Sequence, residues 1–136
     1  MAVNMSGEYV GGLNVQLRHG PSGREITTAA PVDNHGDGSS FSPTDLAASS
    51  LAACILTVMG IVAERDGVDL RGARFELEKH MRADPRRIDR IPMKIYMPAG
   101  LTASQRKKLE RTAHACPVHK SLREEIDKDI EFVYPD

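Results

Sequence analysis

The run from Ser42 to Gly67, SPTDLAASSLAACILTVMGIVAERDG, constrains this chain more than any other stretch. From Leu46 to Ala63 it carries no charged side chain, and its polar groups are small hydroxyls and one thiol, Cys54. Ser42 suits an N-cap and Pro43 the first helical position, where its missing N–H is not needed. Asp45 stands three residues after the cap, where a carboxylate can bond back. Arg65 near the exit and Gly67 beyond it complete a helix whose two ends match its dipole. Apolar residues fall all round this helix rather than on one stripe, which predicts burial on every side.

Such a run reaches the length of a short membrane span. It is rich in Ala, Ser, Thr and Gly, however, and Asp45 rather than a basic cluster flanks its start, so a core helix is expected and no membrane. The opening MAVNMSGEYV has no basic segment followed by an apolar one, so a cytoplasmic protein is expected. With 18 basic and 19 acidic residues, no basic run and few aromatics, the composition argues against nucleic-acid binding. At 136 residues the chain is expected to form a single domain, with residues 1–8 a loose start.

The rest of the chain reads as short strands and two further helices, the second of them short. Tyr9 to Arg18 places Leu13, Val15 and Leu17 on one face of a half-buried strand, and His19 to Gly23 is turn chemistry returning into Arg24 to Thr28. Ala29 to Phe41 is a loop. Ala73, Phe75 and Leu77 alternate with Arg74, Glu76 and Glu78, and Ile91, Met93, Ile95 and Met97 alternate again beyond the turn Asp84-Pro-Arg-Arg87. Thr102-Ala-Ser-Gln105 is a capping box, opening a helix whose inward face holds Leu101, Gln105, Leu109, Thr112, Ala113 and Cys116. A short helix within Val118 to Ile126 and a last strand from Ile130 to Tyr134 follow. The class is α+β with mostly antiparallel pairing. A few strands cover only part of an all-round apolar helix, so a homodimer is expected to supply the remainder.

Cys54 and Cys116 are the only cysteines, 62 residues apart, and each lies on the inward face of its helix. Free cysteine often packs simply as a small hydrophobe. Cys116 and His119 have CxxH spacing, with Cys54 and His114 as further candidate ligands. Helix geometry puts His114 and Cys116 on different faces, and no second closely spaced ligand pair is present, so no metal and no other cofactor is expected.

Three segments taken together, SFSPTDLAASSLAAC, GIVAERDGVDLRGARFELEK and RRIDRIPMKIYMPAGLTASQRKKLERTAHACPVHKSL, resemble the OsmC/Ohr family of osmotically inducible and organic hydroperoxide resistance proteins. The likeness runs from about Arg18 to Val133. It implies an OsmC-like fold, an intertwined homodimer with its active site at the subunit interface, and a thiol peroxidase. In that scheme Cys54 is the peroxidatic nucleophile and Cys116 resolves its sulfenic acid as a disulfide, which an external dithiol reduces. A buried thiolate needs a cation to offset desolvation. The family's arginine corresponds to Arg18 or, across an ambiguous turn, to Arg24. Thr44 occupies the place of the glutamate that steers this arginine, and Asp45 beside it is the nearby acid that can replace it or serve only the helix cap. His119 tunes Cys116 or simply packs. The rival reading is a non-catalytic dimeric module that binds a small ligand or senses redox state.

Overall fold

The charge-free run forms helix α1, Pro43–Arg65, in a computed structural model that describes residues 1–136. Its start is capped reciprocally. Ser42 Oγ accepts the Asp45 N–H at 3.1 Å, and Asp45 Oδ2 accepts the Ser42 N–H at 2.9 Å. Its end is closed by Gly67 at φ 70°, with the Val68 N–H returning to the Ala63 carbonyl at 2.7 Å. Glycine is needed there because the left-handed conformation is costly for a residue with a Cβ.

Within the single chain α1 is buried on one side, in keeping with strands that cover only part of it. Ala48, Leu51, Ala52, Ile55, Met59 and Ala63 are buried, which is a single stripe at helical spacing. Ser50, Ala53, Thr57 and Ile61 lie on the opposite side and are exposed. The helix is long and apolar enough to cross a membrane, yet its buried stripe is that of a core helix. Its outward face is uncharged, with apolar side chains among small hydroxyls, and in the single chain it is uncovered.

The chain divides into two compact units, residues 1–47 and 48–136. In the first, strands β1 (Met5–Gly11), β2 (Asn14–His19) and β3 (Glu25–Ala29) form an antiparallel sheet in the order β1-β2-β3. The β2–β3 turn lies where the sequence places it, with Leu17 opposite Ile26. The loose start and the single strand from Tyr9 are both corrected. Only residues 1–4 precede β1, and the stretch read as one strand turns back on itself at Gly11-Gly12-Leu13, all three at positive φ. The segment MSGEYVG lacks an alternating pattern, so it is held by pairing to β2 and gives no periodic signal. Every residue from Met5 to Val10 is exposed, as are Leu13 and Ile26, whereas Val15 and Leu17 of the expected face are half-buried.

In the second unit, strands β4 (Arg74–Leu77), β7 (Met93–Tyr96) and β8 (Ile130–Val133) form a sheet in the order β4-β7-β8. β4 and β7 pair antiparallel, as the two alternating runs predict, with Phe75 opposite Ile95, whereas β8 joins β7 in parallel. Between them a small hairpin of β5 (His80–Arg82) and β6 (Arg87–Arg90) surrounds the predicted turn. Its strands are short and charged, which hides them from any periodicity argument. Ile91, Met93, Ile95 and Met97 are all buried, and with the α1 stripe they belong to the core.

Helix α2 (Ala103–Ala113) opens on the predicted capping box. Thr102 Oγ1 accepts the Gln105 N–H at 3.1 Å, and Gln105 Oε1 accepts the Thr102 N–H at 2.8 Å. Removing the hydroxyl orphans one of the helix's first N–H groups. Thr102→Ala is therefore expected to cost about 1 kcal/mol in urea unfolding, with the slope against urea unchanged. The C-terminus is fastened to this helix. Arg106 pairs with Asp136 at 2.8 Å and lies 4.2 Å over the Tyr134 ring, whose hydroxyl donates to the Glu110 carboxylate. Burial and that acceptor push the Tyr134 phenol up.

Candidate active site

Both thiols belong to the second unit. Cys54 lies midway along α1, at the edge of its buried stripe and half-buried. Cys116 has no exposed surface. Helix α2 ends at Ala113 rather than running on to Cys116, which instead becomes the N-cap of the short helix α3 (Pro117–Ser121). The local sequence explains this role. Pro117 has no N–H to satisfy and suits a first helical turn, and the preceding residue is held extended. Cys116 is at φ −62°, ψ 129°, and its Sγ accepts the His119 N–H at 3.4 Å.

The fold brings the two sulfurs together: the Cys54 side chain is a hydrogen-bond partner of Cys116. Burial, first, and this bond, second, push the Cys116 thiol up, while the His119 and Val118 N–H groups act in the opposite direction. Cys116 is thus held as a thiol, with its S–H available to Cys54. A buried thiol next to a more accessible one is the arrangement from which a disulfide forms by attack of one sulfur on the oxidised form of the other.

His119 contributes through its main chain, and its ring lies edge-on to His114, with centroids 6.1 Å apart. Burial, the Lys128 ammonium and His114 together hold its imidazole below the ordinary value of 6.5. Lys128 is fixed there by the Arg123 and Ile126 carbonyls, at 2.9 and 2.8 Å. His114 enters from the sequence only as a candidate metal ligand, although its place two residues before Cys116 was a usable signal. Nothing in the sequence marks Lys128. The imidazole binds a proton more weakly folded than unfolded, so protonation favours unfolding. Stability is therefore expected to fall as pH drops through about 6.5 toward the lower folded value, and His119→Asn should remove that part of the slope in thermal melts taken from about pH 8 to 5.

The other sequence candidates lie in the first unit. Arg18, on β2, pairs with Glu25 at 3.2 Å, and both side chains are largely exposed. Arg24 follows the turn and donates its main-chain N–H to Ser22 Oγ. Asp45 serves the helix cap, and Thr44 Oγ1 lies 3.2 Å from Ser42 Oγ. No cluster of three or more His, Cys, Asp or Glu is arranged to hold a metal ion.

A model of the OsmC-like protein family matches residues 36–131. Among solved structures, one similar chain is from Psychrobacter arcticus 273-4, a protein with a provisional role in osmotic stress and detoxification response. It is 41% identical, with 94% of this chain and 93% of that one covered and a TM-score of 0.90. An organic hydroperoxide resistance protein OsmC from Legionella pneumophila is 21% identical, with 98% and 97% covered and a TM-score of 0.73. The organic hydroperoxide resistance protein OhrB of Bacillus subtilis is 18% identical, with 97% and 98% covered and a TM-score of 0.63. No curated protein matches. The last two likenesses speak for the fold, and the first, with the family match, for descent: this chain is a member of the OsmC-like protein family and has its fold.

Proposed function

We propose that this chain is a cysteine-based hydroperoxide reductase, acting on organic hydroperoxides, hydrogen peroxide or both. The Cys54 thiolate attacks the terminal peroxide oxygen, the O–O bond breaks, and the alcohol or water leaves with a proton. Cys54 is left as a sulfenic acid. Cys116 attacks that sulfur and expels water, forming the Cys54–Cys116 disulfide, and an external dithiol returns both to thiols. The cation for the thiolate is assigned to Arg18, with Arg24 the alternative, and the acid that orients it to Asp45. His119 supports the resolving step through its N–H to Cys116.

The observation that carries this reading is the pairing of Cys54 with a fully buried Cys116. The hydroperoxide resistance proteins among the similar structures support the substrate class. Two free thiols suit a reducing cytoplasm. The uncovered, uncharged face of α1 and the exposed Met5, Tyr9, Leu13 and Ile26 of the first sheet support a homodimer in which a second copy covers them.

The test is consumption of an alkyl hydroperoxide and of hydrogen peroxide with dithiothreitol as reductant, for the wild type and for each cysteine variant. Turnover that depends on both cysteines is the expected result. A wild type that consumes neither peroxide, and whose Cys54 resists alkylation at neutral pH until the protein is unfolded, would make the thiols packing residues and favour a binding module instead.

A further inference from the structure

We infer that the external dithiol attacks the sulfur of Cys54, not that of Cys116, so that Cys116 is the group expelled when the disulfide is opened. This rests on the Cys54–Cys116 disulfide of the proposed function and adds the direction in which it is reduced. A thiolate of the reductant bonds to Cys54 Sγ, the Sγ–Sγ bond breaks, and Cys116 leaves as a thiolate that takes up a proton. The second thiol of the reductant loses its proton and attacks the reductant sulfur now bonded to Cys54. Cys54 leaves as the thiolate, and the reductant departs as a disulfide carrying two fewer electrons.

Access sets the direction. Exchange requires the incoming thiolate to line up behind the attacked sulfur, on the side away from the leaving one. Around Cys116 Sγ lie the His119 N–H, at 3.4 Å, and the packed interior, since the residue has no exposed surface. Cys54 is half-buried in the single chain, and the proposed reaction itself requires its sulfur to stay open to peroxide when a second copy covers the outward face of α1.

Leaving-group chemistry argues the other way, and its size decides that it loses. Burial raises Cys116, which makes it the poorer leaving thiolate, although the His119 and Val118 N–H groups offset part of that. Exchange rates respond to thiol pKa by about threefold per unit on the attacking side, and leaving groups act as a graded effect of the same kind. A sulfur without exposed surface is reached only when the fold opens locally, which suppresses attack by the population of the open form. Occlusion therefore outweighs the graded penalty.

The experiment uses the intact wild-type chain. Its disulfide is formed with diamide, which needs no peroxidase activity, and opened briefly with excess N-acetylcysteine, a monothiol that cannot complete the second step. Rapid trapping with N-ethylmaleimide and peptide mass spectrometry then locate the adduct. At least roughly a tenfold excess of N-acetylcysteine on the Cys54 peptide over the Cys116 peptide is expected, given suppression by the rarity of the open form. An adduct mainly on Cys116, an even division between the two, or failure of diamide to join Cys54 to Cys116 overturns the inference. Peroxide consumption, measured on the same preparation, keeps the two proposals apart. A protein that gives the Cys54 adduct but consumes no peroxide loses the peroxidase reading and keeps the direction of exchange.

Discussion

Cys54→Ser is expected to lower hydroperoxide turnover by on the order of 10⁴-fold or more, the scale on which removal of a covalent nucleophile acts in other enzymes. A serine hydroxyl is not ionised near neutral pH, and the reaction needs an anion to attack oxygen. The substitution is nearly isosteric at a half-buried position, so thermal melting should stay close to wild type and the loss cannot be put down to unfolding. Cys116→Ser is expected to behave differently. Its first equivalent of peroxide should disappear at close to the wild-type rate, because Cys54 is intact. Turnover should then slow, because the dithiol itself must reduce the sulfenic acid. Serine is also a favourable N-cap, so α3 should keep its cap in this variant. Single-turnover and steady-state assays of the three proteins separate these roles. Steady-state turnover of Cys54→Ser equal to wild type would end the proposed mechanism.

Much of the frame behind this prediction is legible in the residues because it is local. Ser42 with Asp45, Thr102 with Gln105, and Gly67 each announce a helix end through chemistry confined to one turn. Phe75 with Leu77, and Met93 with Ile95, mark two strands by period-two alternation, and their antiparallel pairing follows from such runs on either side of a turn, although the register does not. Charge breaks that signal in β5 and β6. What escaped depends on distant partners. β1 has no alternation and is held by β2, and the parallel placement of β8 is decided by the β7 edge rather than by its own sequence. The contact between Cys54 and Cys116 cannot be derived from a separation of 62 residues, and the cation beside His119 comes from Lys128, which no motif marks. Apolar residues all round α1 do not distinguish a helix covered by its own chain from one that leaves a face for another subunit.

That ambiguity yields the second large effect, on stability. Ile55 has no exposed surface, and Ile55→Ala leaves a cavity in a packed interior that relaxes only in part, so a loss of about 2–5 kcal/mol is expected in urea unfolding. Ile61 lies roughly 120° away around the same helix at about 100° per residue and is 54% exposed in the single chain. If nothing covered it, Ile61→Ala would change stability by less than about 0.5 kcal/mol, as at an ordinary surface site. With a second copy seated on this face, its truncation should instead cost on the order of 1–2 kcal/mol, because a buried side chain then loses its transfer free energy. Linkage supplies the control, since a dimer that unfolds to monomers gains stability with concentration. The wild-type unfolding midpoint should rise between about 1 and 100 μM on that account. Ile61→Ala should weaken dimerisation in light scattering, whereas Ile55→Ala should lower stability at every concentration. A monomer throughout that range, with Ile61→Ala neutral, would leave the outer face of α1 as solvent-exposed surface and remove the subunit interface from the proposed site.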